Sequence, residues 1–264
     1  MIQRSLSRSS HPFKWIPVLM YHRVVEAAHE PDPHFLNITV AHFTEQMAYL
    51  HDHGYQSIAL DDVPLAVGDH SSWTKPVAIT FDDGYQDTFT HALPILREQG
   101  LSATVMLVSD RIGGHNTWDQ GKTASTPLLS IHEIHALAGA GITFGAHTAR
   151  HPSLPDVSLE VVRQELAGSK TKLEALLGHE VSTLAYPYGR TTPEICRLAE
   201  EVGYSAAFGV DQHAHSLFNF SRIDAARYPG ATLVWQLKMS GLYQRLRQYR
   251  GMKALNRIRR QFTA

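Results

Sequence analysis

The chain has 264 residues, 43% of them apolar, and a formal net charge of −1. That is enough for one large core or one barrel, and no second domain is required. A single cysteine, Cys196, excludes an intramolecular disulfide, and no stretch approaches the length of a membrane span.

Residues 1–14 read as an N-terminal extension. Arg4 and Arg8 lie there, but the run Ile16-Pro17-Val18-Leu19-Met20 that follows is too short for a signal core and is broken by proline. The expected location is therefore cytoplasmic. The first strand is expected over 17–23 and ends in Tyr21-His22. A helical stretch stopping at Gly54 follows. Residues 77–82 form a second strand, a β-branched apolar run of the kind buried on both faces. It has no structural reason to end in Asp82-Asp83-Gly84. Adjacent ionised carboxylates repel, so such a pair is commonly neutralised by a cation or raised in pKa. Taken alone, Asp-Asp-Gly is more often a turn or a helix cap.

Helical stops at Gly100 and Gly141 precede strands over 103–108 and 142–147. Between them, the polar segment 111–127 contains Trp118, whose flat face suits either a sugar ring or the body of the protein. Ser130-Ile131-His132-Glu133 is a capping box that starts a helix. The strand over 142–147 delivers His147 at its end, and His151-Pro152 follows. If residues 147–151 form one helical turn, both imidazoles face the same way, and Pro152 suits the first turn of a helix. A strand over 183–187 leads into Tyr186-Pro187-Tyr188-Gly189, where the two tyrosines and the proline are candidate substrate contacts. Thr192-Pro193-Glu194 is a helix start, Gly203 its stop, and the last strand covers 205–210. After Asp224 there is no acidic residue, and Leu242, Leu246, Tyr249, Ile258 and Phe262 recur at helical spacing among basic ones. Residues 233–264 thus read as a basic amphipathic helical tail, suited to packing across the barrel or to peripheral contact with an anionic membrane surface. Nothing in it points to nucleic acid.

Strands alternating with helices argue for parallel pairing and a barrel, whose sites form at the carboxyl ends of the strands. The aspartate pair, His147 and Tyr188 all fall there. Two histidines and a carboxylate are a common first shell for a divalent metal with open positions. A second carboxylate beside them supplies the base for metal-assisted hydrolysis.

Thr80-Phe81-Asp82-Asp83-Gly84, His147-Thr148-Ala149-Arg150-His151-Pro152 and Tyr186-Pro187-Tyr188-Gly189 resemble the three leading motifs of the polysaccharide deacetylases, the carbohydrate esterase family 4 or NodB-homology group. The resemblance spans about Val18 to Ala226. It implies a distorted (β/α) barrel of the NodB type over residues 15–232 and a hydrolase that removes N-acetyl groups from a sugar polymer or its precursor. By the same resemblance Asp82 is the catalytic base, Asp83, His147 and His151 hold the metal, and the Tyr188 backbone N–H helps form the oxyanion hole. Two positions depart from the family pattern. The arginine that many members carry two residues before the proline is replaced by Ala185, and the late Leu-x-His that supplies the general acid is absent from the C-terminal half. The string Tyr21-His22-Arg23-Val24 resembles a permuted exopolysaccharide-type subgroup, and makes His22 the candidate acid. Zinc is the first choice of metal, with cobalt, nickel, manganese or iron fitting the same ligands. The alternatives are a small-molecule amidase or deformylase of the same fold, a non-haem iron oxygenase, and a non-catalytic carbohydrate-binding protein.

Overall fold

The computed structural model describes residues 15–27, 32, 34–67, 72–118, 125–210 and 215–241. The N-terminal extension and the part of the basic tail beyond residue 241 lie outside the described residues. The strands among the described residues are β1 (Val18–Tyr21), β2 (Arg23–Val25), β3 (Asn37–Thr39), β4 (Gln56–Ile58), β5 (Pro76–Phe81), β6 (Thr104–Leu107), β7 (Thr143–Ala146), β8 (Thr183–Ala185), β9 (Ala206–Gly209), β10 (His215–Ser216), β11 (Asn219–Ser221) and β12 (Ile223–Asp224). Strands β1, β5, β6, β7, β8 and β9 pair side by side, all parallel, with β4 added beside β5.

The segment Asn219–Asp224 closes the ring. Its first half pairs with β9, placing Phe220 opposite Phe208, and its second half pairs with β1, placing Ile223 opposite Leu19. Arg222 sits at the switch between the two.

Alternation along the strands sorts the side chains. Val18, Ala78, Met106, Ala185, Ala206 and Phe208 pack together inside the barrel. Leu19, Tyr21, Ile79, Phe81, Val105 and Leu184 point outward to the helices. That parity also places Thr80, and then Asp82, on the inner side.

The helices are α1 (Val40–Asp52), α2 (Val63–Val67), α3 (Leu93–Glu98), α4 (Ile131–Gly139), α5 (Leu159–Leu177), α6 (Pro193–Val202) and α7 (Leu233–Met239). Their boundaries follow the local chemistry. Ser130 and Glu133 form the capping box of α4, and the Thr192 side chain caps α6 with Pro193 in its first turn. Gly203 ends α6 in the left-handed conformation that glycine adopts most readily. Helix α7, at the head of the expected tail, buries Trp235 and Met239 in the same core as the barrel helices. Among the described residues no helix is long and apolar enough to cross a membrane.

Two local expectations are corrected. Residues 147–151 are not a helical turn: Thr148 and His151 adopt φ of 66° and 67°, which a right-handed helix cannot contain. Pro152 likewise starts no helix; a 3₁₀ turn begins at Leu154 and α5 only at Leu159. The first strand is also shorter than 17–23. It stops at Tyr21, and β2 leaves to pair with β3 in a separate two-stranded sheet, so His22 lies at the break on the rim of the barrel.

Candidate active site

The strands end at one mouth of the barrel, over a cavity of about 570 Å³ whose lining includes His22, Asp82, Asp83, His147, His151 and Arg222. Volume and polar convergence are those of a small-ligand site. Five described non-glycine residues have left-handed backbones, and four of them, Asp83, Thr148, His151 and Tyr188, are here. Each costs about 1–2 kcal/mol, so the surrounding bonds must enforce them. The Thr148 hydroxyl accepts a bond from the His151 N–H at 3.0 Å. Buried Glu165 on α5 accepts from the Arg150 N–H at 2.8 Å and from its Nε at 2.7 Å.

Asp83, His147 and His151 are all buried and bring one ligand atom each within 4.8 Å of the others. Asp83 Oδ1 lies 3.2 Å from His151 Nε2 and 3.4 Å from His147 Nε2, and no hydrogen bond satisfies it. His147 Nδ1 lies 2.8 Å from the carbonyl of Ala185, an oxygen that can only accept. Nδ1 therefore donates its proton to that carbonyl, which leaves Nε2 facing Asp83. A buried carboxylate oxygen and an imidazole nitrogen facing one another fit a cation, and two nitrogens with one oxygen suit a divalent metal. In the metal-free chain, burial pushes the Asp83 carboxyl up, but His151 and His147 outweigh it and hold it well below the usual range.

Asp82 is held differently. Arg222, wholly buried, donates Nη1 to Oδ1 and Nη2 to Oδ2, each at 2.7 Å. The planar guanidinium thus fixes the plane of the carboxylate. Burial raises the Asp82 carboxyl; the Arg222 charge, then His147, override it and the net shift is downward. His147 Nε2 is 4.0 Å from Asp82 Oδ2. Arg222 escapes sequence reading because it stands in the closing segment, far from every motif. Its one local signal is an arginine between Ser221 and Ile223 in an otherwise strand-forming run.

His22 lines the cavity with its Nδ1 buried and without a hydrogen bond. The Trp118 ring stacks on His151 at 4.6 Å and 29°, and Tyr188 meets the same imidazole edge-on at 4.8 Å. Tyr186 and Pro187 do not reach the cavity. Tyr186 points into the core and donates its hydroxyl to the Phe218 carbonyl at 2.9 Å, and Pro187 is buried. Ala185 contributes only its carbonyl oxygen.

The family profile described as polysaccharide deacetylase matches residues 70–207. The protein YxkH of Bacillus subtilis (strain 168) is 28% identical over 202 residues, covering 76% of this chain and 66% of YxkH. The poly-beta-1,6-N-acetyl-D-glucosamine N-deacetylase of Escherichia coli (strain K12) is 31% identical over 93 residues, covering 35% of this chain and 14% of that protein. The chain thus spans less than two thirds of either relative. Among solved structures, a polysaccharide deacetylase from Bacillus cereus superposes with a TM-score of 0.70 at 25% identity, covering 86% of this chain and 69% of that one. The deacetylase PplD of Streptococcus pyogenes, in complex with acetate, gives 0.72 at 24% identity, covering 86% and 99%.

Proposed function

Because the chain belongs to the polysaccharide deacetylase family, we propose that it hydrolyses the N-acetyl amide of a sugar polymer or its precursor, with one divalent metal held by Asp83, His147 and His151. The observation that carries this reading is the juxtaposition of that triad with a second, independently anchored carboxylate at one barrel mouth. When bound, the metal supplies Lewis acidity toward the acetyl carbonyl and toward water. Zinc is the first choice for this mixed donor set, and cobalt, nickel, manganese or iron suit it too.

Asp82 takes the proton of the attacking water as the C–O bond forms. Arg222 keeps its carboxylate ionised and aimed, so no reorientation is needed at the moment of transfer. The Tyr188 backbone N–H, presented by its left-handed turn, donates to the oxyanion that develops on the carbonyl oxygen. His22 gives its proton to the nitrogen as the C–N bond breaks, releasing acetate and a sugar amine. Trp118 and the Tyr188 ring flank His151 and offer apolar faces to a sugar.

Incubating the metal-loaded chain with a panel of N-acetylated glycans and measuring acetate tests the proposal. Release should stop on chelation and return on adding metal. No acetate from any glycan, or release indifferent to chelation, overturns it.

A further inference from the structure

The chemistry proposed above occupies one part of the cavity wall. The rest comes from the turn before β3, where Leu36 lies, and from the chain after the closing segment, with Arg227, Tyr228 and Lys238. Arg227 gives its Nε to Asp224, and among the described residues none takes a hydrogen bond from its two terminal nitrogens. That guanidinium is half exposed and lies 4.7 Å over the Phe35 ring. Lys238, on α7, lies 5.2 Å over the Tyr228 ring. Asp82, Asp83 and Asp224 line the cavity with Arg222, Arg227 and Lys238, so charges balance without a metal, and a bound divalent ion leaves an excess of positive charge. A cavity of that sign concentrates anions.

Apolar side chains stand in the open beside these cations. Phe35 is 45% exposed, Leu233 70% and Val234 50%. Val234 precedes Lys238 by one turn of α7 and shares its face. Phe35 is held outward against its own backbone preference, with a left-handed φ of 55°. Asp32 enforces the turn, its two carboxylate oxygens accepting from the Leu36 and Asn37 N–H groups at 3.0 and 2.8 Å. Aliphatic side chains offer a nucleobase neither stacking nor hydrogen bonds, but they suit a hydrocarbon chain. A guanidinium and an ammonium suit a phosphate.

We infer that this rim recognises a phosphate joined to a hydrocarbon chain, so that the sugar is deacetylated while carried on a lipid phosphate. The inference rests on the deacetylase reading and selects, within it, a lipid-linked precursor over the finished polymer. One cavity of about 570 Å³ holds both the reaction centre and the cations, so phosphate and acetamide belong to one small molecule. Arg227 and Lys238 take the phosphate; Phe35, Leu233 and Val234 take the first part of the chain.

The test measures kcat/KM of the metal-loaded chain on three soluble substrates: N-acetylglucosamine 1-phosphate, its decyl phosphodiester and the neutral decyl N-acetylglucosaminide. The diester should exceed the neutral glycoside by at least about tenfold, the scale of charge-assisted hydrogen bonds to phosphate. It should also exceed the free sugar phosphate, by virtue of its chain. Arg227→Gln and Lys238→Gln should each lower the ratio of diester to neutral glycoside, and Phe35→Ser the ratio of diester to free phosphate. Ratios cancel any damage to the shared reaction centre. Unchanged ratios in all three variants overturn the inference, as does equal cleavage of charged and neutral glycosides, or of diester and free phosphate, by the wild type. Binding to phosphatidylglycerol vesicles that the variants abolish, with no preference among the soluble substrates, assigns the face to a membrane surface and overturns it too. If no substrate is cleaved, the deacetylase reading fails instead, and calorimetry with decyl phosphate decides for the rim. Weaker binding by the Arg227 and Lys238 variants then supports it; equal affinity in wild type and variants overturns it.

Discussion

At the scale of single residues, the two aspartates of one dipeptide are set apart by their partners. Asp83 faces two imidazole nitrogens; Asp82 faces a guanidinium. Arg222→Ala should leave Asp82 as an uncompensated buried charge and cost about 3–5 kcal/mol, read by denaturant unfolding. The Asp82 carboxyl is lowered in the fold, so this pair stabilises above the unfolded carboxyl value of about 3.9 and loses that contribution as pH falls through the folded value. Without Arg222 the largest opposition to burial is gone, and the acid limb of the kcat/KM profile should move to higher pH. Arg222→Lys keeps the charge but not the fork, so metal content should hold while kcat falls by at least about tenfold. Unaltered kcat in Arg222→Lys would show that orientation of Asp82 does not matter. His22 is tested through the leaving group. His22→Ala should lower kcat on a glycan amide by about 10²- to 10⁴-fold, and far less on an activated aryl acetate that departs unprotonated. Equal losses on both would make His22 structural.

At the scale of elements, the loop 147–151 shows how a strand end becomes a ligand set. Its two left-handed residues turn His147 and His151 toward Asp83, where a helical turn would have sent the chain away from the barrel. Helix α5 holds that shape from behind, because Glu165 caps the Arg150 N–H and grips its side chain. Glu165→Gln should leave the helices intact by circular dichroism and weaken metal binding by about 10- to 100-fold in a direct titration. An unchanged dissociation constant would show that the loop keeps its shape without α5. The core of the barrel makes a complementary demand. Gly145 in β7 has no room for a side chain, since an added Cβ would lie 2.5 Å from Met106 Cε and 2.9 Å from Thr183 Oγ1.

At the scale of the whole molecule, the ring is closed by one six-residue segment and braced by α7. Trp235 is fully buried, edge-on to Tyr49 at 5.3 Å, and Trp15 Nε1 donates to the Met239 carbonyl at 3.0 Å. Trp235→Ala should cost about 3–5 kcal/mol in denaturant unfolding; a loss under 1 kcal/mol would mean that the barrel stands without α7. The alternating strands, the capped helices, the glycine stops and the strand-end carboxylates and histidines were all legible in the chain, because each is a local rule of periodicity, capping or motif spacing acting over a few residues. The bent path of 147–151 was not, since a left-handed turn at Thr148 and His151 is held by Glu165 and Thr148 against the intrinsic preference of both residues. Nor could the sequence assign Tyr186 to the core and Tyr188 to the cavity rim, two positions apart, because a left-handed turn at Tyr188 separates them. Arg222 lies 140 positions from the aspartate it orients, and only closure of the sheet, which pairs Asn219–Asp224 with β9 on one side and β1 on the other, brings the two together. Local preference fixes what an element is; which distant charge is sealed beside which in a low-dielectric interior is decided by the tertiary packing alone.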